Sequence, residues 1–178
     1  MYGPKMTLRI VTAGPADFSA MLALNESCVP NVNSIDEQEI GFFCDLAKQF
    51  VKVVEEGKLA GYVIALGSGL EYKSANYRWF NAHLSKGELG EFLYIDRIMV
   101  HPDFRRRGIA SLIYDHLEAS ALDQGLKCLC CEVNLMPANP ESLALHKGMG
   151  FVEQATQKTE GGAKEVSLLV KQLETTEV

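Results

Sequence analysis

Arginine at positions 105, 106 and 107, followed at once by Gly108, is a grouping suited to holding an anion. The guanidinium is a planar, permanently charged fork that pairs with phosphate oxygens, bidentately at best. Upstream, Ile98, Met99 and Val100 favour a strand, and Pro102 ends it by removing a ladder donor. Downstream, Ile109, Ala110 and Ser111 open a segment with helical spacing, so their N–H groups lie at the positive end of a helix. A strand that feeds a turn and then a helix N-terminus brings backbone donors and mobile cations to one place, where a pyrophosphate fits. Gly108 lets the backbone approach such a ligand closely. The plainer alternative is a basic surface turn. It sits less well in a chain whose 23 acidic and 17 basic side chains leave a net charge of −6.

The elements that must position this turn follow in order along the chain. Residues 7–12 alternate Leu8 and Ile10 with polar neighbours and predict a strand, after which Pro15 opens a helix to about Asn25. Residues 35–49 carry Ile35, Ile40, Phe43, Leu46 and Ala47 on an imperfect 3.6-residue stripe and predict a second helix. Residues 50–54 and 59–66 flank the polar turn EEGK, a hairpin signal, and the second of these strands is apolar on both faces and expected to be central. Residues 70–90 read as a long irregular loop in which Tyr72, Asn76, Tyr77, Arg78, Trp79 and Phe80 concentrate; a loop of this length is usually functional or mobile. A strand over 91–100 leads to the arginine turn, and a helix from Gly108 to Gly125 carries Ile109, Leu112, Ile113, Leu117 and Ala121 at helical spacing. A strand over 127–133, a short helix over 139–149 and strands over 151–157 and 164–173 complete the pattern, the last after the Gly161-Gly162 turn. The expected class is α/β (α+β), a mixed, mostly antiparallel sheet flanked by helices. At 178 residues and 47% hydrophobic content it is expected to form a single domain over residues 1–178.

Composition narrows the function classes. No apolar run approaches the roughly 20 residues that span a bilayer, and the N-terminal MYGPKMTLRIVTAG lacks a secretory pattern, so a cytoplasmic protein with no membrane partner is expected. The five cysteines are odd in number and three crowd into KCLCCEV, which favours reduced core thiols over disulfides. C-x-C-C lacks a second ligand cluster, so no metal is expected. An acidic chain with one basic turn also argues against nucleic acid, and the low aromatic content gives no stacking platform for it.

A second segment, NPESLALHKGMGF, places Asn139, Ser142, Leu145, Gly150 and Phe151 at the spacing N-x-x-[AS]-x-x-[LY]-Y-x-x-x-G-F. Together with Arg105-x-x-Gly108-x-Ala110, which resembles the R/Q-x-x-G-x-G/A signature, it makes the chain similar to the GNAT superfamily of N-acetyltransferases over residues 51–170. The resemblance implies acetyl-CoA as cosubstrate at the turn, contacted by Ile98, Met99, Val100, residues 105–111 (Arg105, Arg106, Arg107, Gly108, Ile109, Ala110 and Ser111) and Asn139. It also implies a V-shaped split of the sheet after the strand that precedes the turn, with Val100 as the backbone donor to the acetyl carbonyl. The chain departs from the pattern at His146, where such enzymes often carry a tyrosine acid.

Acetyl transfer to an amine needs a base for the amine, a donor for the oxyanion and a proton for the departing thiolate. Glu132 in CCEVN is the first candidate base, with Asp96 in YIDRI and Glu91 behind it. Asp96 could equally serve a cross-strand partner, because Asp96 and Arg97, as strand neighbours, face opposite sides. His146, with an ordinary pKa of about 6.5, could protonate the thiolate or simply fill space, leaving the proton to water, Tyr94 or a loop tyrosine. Asn139 could bond pantetheine amides, cap the helix before Pro140, or do both. Tyr72, Tyr77, Trp79 and Tyr94 are the candidate acceptor-binding residues; the alternatives for the loop are a lid packed on the core or a homodimer contact. His101 and His116 are expected at the surface.

The expected activity is transfer of an acetyl group from acetyl-CoA, by direct attack, to a primary amine of a small molecule, amino acid or peptide N-terminus. The alternative is a non-catalytic acyl-CoA-binding or sensing module of the same fold, which the missing tyrosine at position 146 keeps open. A nucleotide-binding enzyme of another class is disfavoured, since neither G-x-x-x-x-G-K-[ST] nor G-x-G-x-x-G is present.

Overall fold

The computed structural model describes residues 7–174. The expectation drawn from the N-terminal segment falls partly on residues 1–6, outside the described residues. Strands β1 (Arg9–Thr12), β2 (Gln49–Glu55), β3 (Lys58–Gly67), β4 (Phe92–Val100), β5 (Cys128–Met136), β6 (Val152–Thr159) and β7 (Lys164–Gln172) form one sheet in the order β1-β2-β3-β4-β5-β7-β6. Pairing is antiparallel at β1/β2, β2/β3, β5/β7 and β6/β7, and parallel at β4/β5. Helices α1 (Phe18–Glu26), α2 (Glu37–Leu46), α3 (Ala75–Ser85), α4 (Ile109–Asp123) and α5 (Pro140–Gly148) flank it. The mixed, mostly antiparallel sheet expected from the pattern is the one found.

Contacts divide the described chain into two compact units, residues 7–65 with 96–117 and residues 66–95 with 118–174. In the first unit the hairpin of β2 and β3 turns on Glu56 and Gly57, at φ 50° and 77°, the paired left-handed conformation that matches strand twist. Helix α2 begins where Asp36 and Glu39 form a reciprocal capping box, two residues later than expected, and stops at Leu46 because Gln49 already belongs to β2. Met21, Leu24, Ile40, Phe43, Val53 and Ala60 are buried here. Each of these side chains larger than alanine stabilises the fold by about 1.5–3 kcal/mol when fully buried.

In the second unit the structure corrects the sequence reading of residues 70–90. Ala75–Ser85 is a helix, capped by Ser74, whose hydroxyl accepts from Tyr77 N at 3.3 Å, and ended near Gly87 at φ 74°. Tyr77 and Phe80, three apart, form its buried face and meet Phe92 and Tyr94 of β4 edge-on or tilted, at centroid distances of 5.2–6.1 Å. β5 runs three residues beyond Val133 because its ladder with β7 continues to Met136↔Glu165. Pro137 has no N–H with which to extend it.

Candidate active site

The arginine turn lies in the first unit. β4 ends at Val100, His101 N donates to Ala60 O at 2.9 Å, and residues Pro102–Phe104 make one 3-10 turn that buries Phe104. Arg106 (φ 59°) and Gly108 (φ 76°) are both left-handed, which bends the chain sharply into α4. Leu112 N bonds Gly108 O at 2.9 Å, so the N–H groups of Ile109, Ala110 and Ser111 precede the first intrahelical bond of α4. Ile109 is buried, Ala110 half-buried and Ser111 exposed.

The three arginines are not equivalent. Arg107 Nη2 lies 2.6 Å from Oε1 of the buried Glu55, and its guanidinium sits 5.2 Å over the Phe104 ring. Arg105 and Arg106 are exposed. Glu55 is a partner that the sequence reading missed: it sits in the EEGK segment, whose only signal was a polar hairpin turn. Behind the turn, Met99 is buried and its carbonyl faces Gly61 so closely that a Cβ there would stand 2.5 Å from it. Ile98 and Val100 are half-buried.

Asp96 is in the same unit, and the expectation about its neighbour is corrected. Arg97 Nε donates to Asp96 Oδ2 at 2.8 Å although the two alternate along β4, because the arginine stem is long enough to fold back on the strand. Arg97 Nη1 also donates to Asn25 Oδ1 at 2.8 Å and Asn33 O at 3.3 Å, and its guanidinium lies 5.2 Å over Phe43. Asp96 and Arg97 are both nearly buried, which makes them one satisfied ion pair at the base of the segment after α1. Nothing in the sequence singled out Asn25 as a member.

In the second unit Glu132 and Tyr94 meet directly. The Tyr94 phenol lies 2.9 and 2.8 Å from Oε1 and Oε2 of Glu132, donating its one proton across the carboxylate. The parallel ladder of β4 and β5 covers Phe92↔Cys128, Leu93↔Leu129 and Tyr94↔Cys130, so this pair stands where that ladder ends. Tyr72 and Tyr77 connect to it through rings, Tyr72 edge-on to Tyr77 at 5.5 Å and Tyr77 to Tyr94 at 5.2 Å. Tyr77 is fully buried, donates to Gly67 O at 2.5 Å and accepts from Leu70 N at 3.0 Å, and burial raises its pKa. Trp79 instead stacks on His83 at 3.5 Å. Glu91 is exposed just ahead of β4.

Asn139 stands at the N-cap of α5 and His146 lies on the helix. Asn139 Oδ1 accepts from Ser142 N at 3.3 Å and caps the helix. His146 is 4% exposed, its Nδ1 lies 2.7 Å from Ser142 O, and Phe151 packs edge-on at 5.1 Å. The bond to a carbonyl assigns the proton to Nδ1. Burial lowers the imidazole pKa, outweighing the Ser142 carbonyl, so the ring is neutral near pH 7.

The first unit carries a strand, an arginine turn and a helix N-terminus, and the second carries a phenol-bound carboxylate at the end of a short parallel ladder. Residues 18–151 fit the acetyltransferase (GNAT) family. The chain belongs to that family. Solved structures agree with it in fold. Ard1 from Thermoplasma volcanium is 15% identical with a TM-score of 0.74, over 94% of this chain and 99% of that one. Arabidopsis thaliana Naa50 in complex with the bisubstrate analogue CoA-Ac-MVNAL is 13% identical with a TM-score of 0.69, over 92% and 97%. The acetyltransferase yncA from Salmonella typhimurium, described as putative and solved with its cofactor acetyl-CoA, is 17% identical with a TM-score of 0.67, over 97% of both. No curated protein sequence matches the chain. No helix among the described residues is long and apolar enough to cross a membrane.

Proposed function

We propose that this GNAT protein is an N-acetyltransferase that passes the acetyl group of acetyl-CoA directly to the primary amine of a small molecule, amino acid or peptide N-terminus, its two units acting as one domain in the cytoplasm. The observation that carries the reading is the arginine turn. Arg105 and Arg106 are exposed next to the first-turn N–H groups of α4, while Glu55 holds Arg107 as a brace. Two exposed guanidinium groups, a left-handed Gly108 and a helix N-terminus supply the donors a pyrophosphate needs. The backbone of Ile98, Met99 and Val100 is the proposed contact for pantetheine, with Val100 N–H directed to the acetyl carbonyl and Asn139 adding a contact beyond its cap.

In this reading the amine nitrogen attacks the thioester carbon, the C–S bond breaks, and the amine proton passes to Glu132. Tyr94, bonded to both oxygens of Glu132, orients the carboxylate and relays the proton towards the thiolate, so the reaction balances without an added acid. Asp96 is less suited to be the base, because Arg97 already engages it. His146, neutral and bonded to Ser142, is better suited to packing than to supplying an imidazolium proton. That observation also favours the second reading, a module that binds acyl-CoA without turnover.

The test is charge reversal at the turn. Arg105→Glu with Arg106→Glu should lower acetyl-CoA affinity at least about tenfold, measured by calorimetry at low salt, and the wild-type affinity should itself fall with salt. Unchanged affinity in the double variant removes the pyrophosphate assignment.

A further inference from the structure

Helix α3 buries two side chains, Tyr77 and Phe80, and both bear on the strand that carries the reactive phenol. Phe80 lies 5.9 Å from the Tyr94 ring at a 50° tilt, and Tyr77 meets the same ring edge-on at 5.2 Å and 75°. Tyr94 is fully buried, and its hydroxyl reaches both oxygens of Glu132, at 2.9 and 2.8 Å. A phenol spans two carboxylate oxygens evenly only while its ring is held in one orientation. The ladder fixes the backbone of Tyr94 beside Cys130, but a side chain of this length also needs walls. A ring free to tip carries its oxygen with it, and a misplacement of about 1 Å at a reacting group costs on the order of 10²-fold in rate.

Of the two walls, Tyr77 is the anchored one. Its hydroxyl donates to Gly67 O at 2.5 Å, where β3 ends, and accepts from Leu70 N at 3.0 Å. One turn further along α3, Asn81 Oδ1 accepts from Gly69 N at 3.0 Å and its amide donates to Leu70 O at 3.4 Å, so one face of the helix is fastened to residues 67–70. Asn76 Oδ1 accepts from Gln157 Nε2 of β6 at 2.8 Å and ties the start of the helix to the far strand of the same unit. A tyrosine that merely filled this space could be a phenylalanine. A buried hydroxyl with both bonds made instead fixes where its own ring stands. We propose that Tyr77 is a positioning residue for acetyl transfer, acting through Tyr94 to hold the phenol across the Glu132 carboxylate. The proposal rests on the reading of Glu132 as the base that meets the amine.

The experiment follows Tyr77→Leu, Tyr77→Phe, Tyr94→Phe and the double variant of Tyr77→Leu with Tyr94→Phe in the intact protein. CoA release across an amine panel gives kcat, and calorimetry gives acetyl-CoA affinity. Carbon NMR of protein labelled at the glutamate carboxyls reads the carboxylate itself, the Glu132 signal being identified by its loss in Glu132→Gln. Tyr94→Phe should move that signal. Tyr77→Leu should move it the same way and lower kcat at least about tenfold, with acetyl-CoA affinity within about twofold of wild type. Tyr77→Phe, which keeps the ring and loses its anchor, should fall between. Adding Tyr77→Leu to Tyr94→Phe should change kcat by less than about twofold, because no phenol is left to position. Losses that multiply in the double variant would overturn the proposal in favour of general damage to packing, and so would a Glu132 signal that stays in place in both Tyr77 variants. If Tyr77→Leu does not fold, Tyr77→Phe decides: a moved signal supports the proposal and an unmoved one overturns it. A wild type that releases no CoA would remove the transferase reading alone, since the NMR comparison still shows whether Tyr77 holds the phenol on Glu132.

Discussion

Replacing Arg107 with alanine separates bracing from anion binding at the turn. Glu55 is 4% exposed, and Arg107 lies 2.6 Å from it with 32% of its own side chain exposed. Removing one partner of a fully buried pair costs about 3–5 kcal/mol, because the other charge is stranded. Solvent reaches the arginine here and screens part of that, so about 1–3 kcal/mol is expected, including the lost contact over Phe104. For a chain of this length about 2 kcal/mol lowers Tm by roughly 4–8 °C. Urea unfolding of Arg107→Ala, Glu55→Gln and the double variant forms a cycle whose coupling should be about 1–2 kcal/mol, since Glu55→Gln removes the stranded charge. Arg105→Ala should stay within about 0.5 kcal/mol of wild type, because its side chain is exposed. A coupling near zero, or an Arg105→Ala variant as unstable as Arg107→Ala, would refute the division of labour among the three arginines.

Two further outcomes test the packing around the proposed site. The His146 pKa is lowered in the folded protein, so the unfolded chain binds the proton more readily; that contribution to stability is fully present above about pH 6.5 and is lost as pH falls towards the folded value. Urea unfolding between pH 7.5 and 5 should show this loss in wild type and a shallower slope in His146→Gln, whereas a gain in stability on acidification through this window would contradict a buried neutral ring. Gly61→Ala would place a Cβ 2.5 Å from Met99 O and 3.2 Å from Ile109 Cγ2, so it should destabilise by about 1–3 kcal/mol and also weaken acetyl-CoA binding; an unchanged Tm would show that the contact yields freely.

What the sequence made legible was local. The hairpin at Glu56-Gly57, the strand ended by Pro102 and the stripe of Ile109, Ile113, Leu117 and Ala121 on α4 each rest on residues close together in the chain, where propensity and periodicity act directly. α3 escaped notice because its buried face is only Tyr77 and Phe80 among polar neighbours, too short a stripe to show a period. Its cap, Ser74, was the available signal. The partnerships that sort the candidate residues are long-range: Glu55 with Arg107 is 52 positions apart, Asn25 with Arg97 is 72, and Tyr94 with Glu132 is 38. Residue type marked Arg107, Asp96 and Glu132 as able to do chemistry. Only the fold shows that a carboxylate holds the first, an arginine the second and a phenol the third.

The most direct test of the account is whether acetyl-CoA loses its acetyl group to an amine on this protein. Purified wild type, Glu132→Gln and the double charge reversal at Arg105 and Arg106 should be incubated with acetyl-CoA and a panel of amines and peptides, with free CoA thiol and acetylated product measured by mass spectrometry. Wild type should give product and thiol in equal amounts, Glu132→Gln should lower kcat by about 10²–10⁴ with acetyl-CoA affinity retained, and the arginine variant should lose affinity. Tight acetyl-CoA binding by wild type with no acetylated product across the panel would contradict the transferase reading.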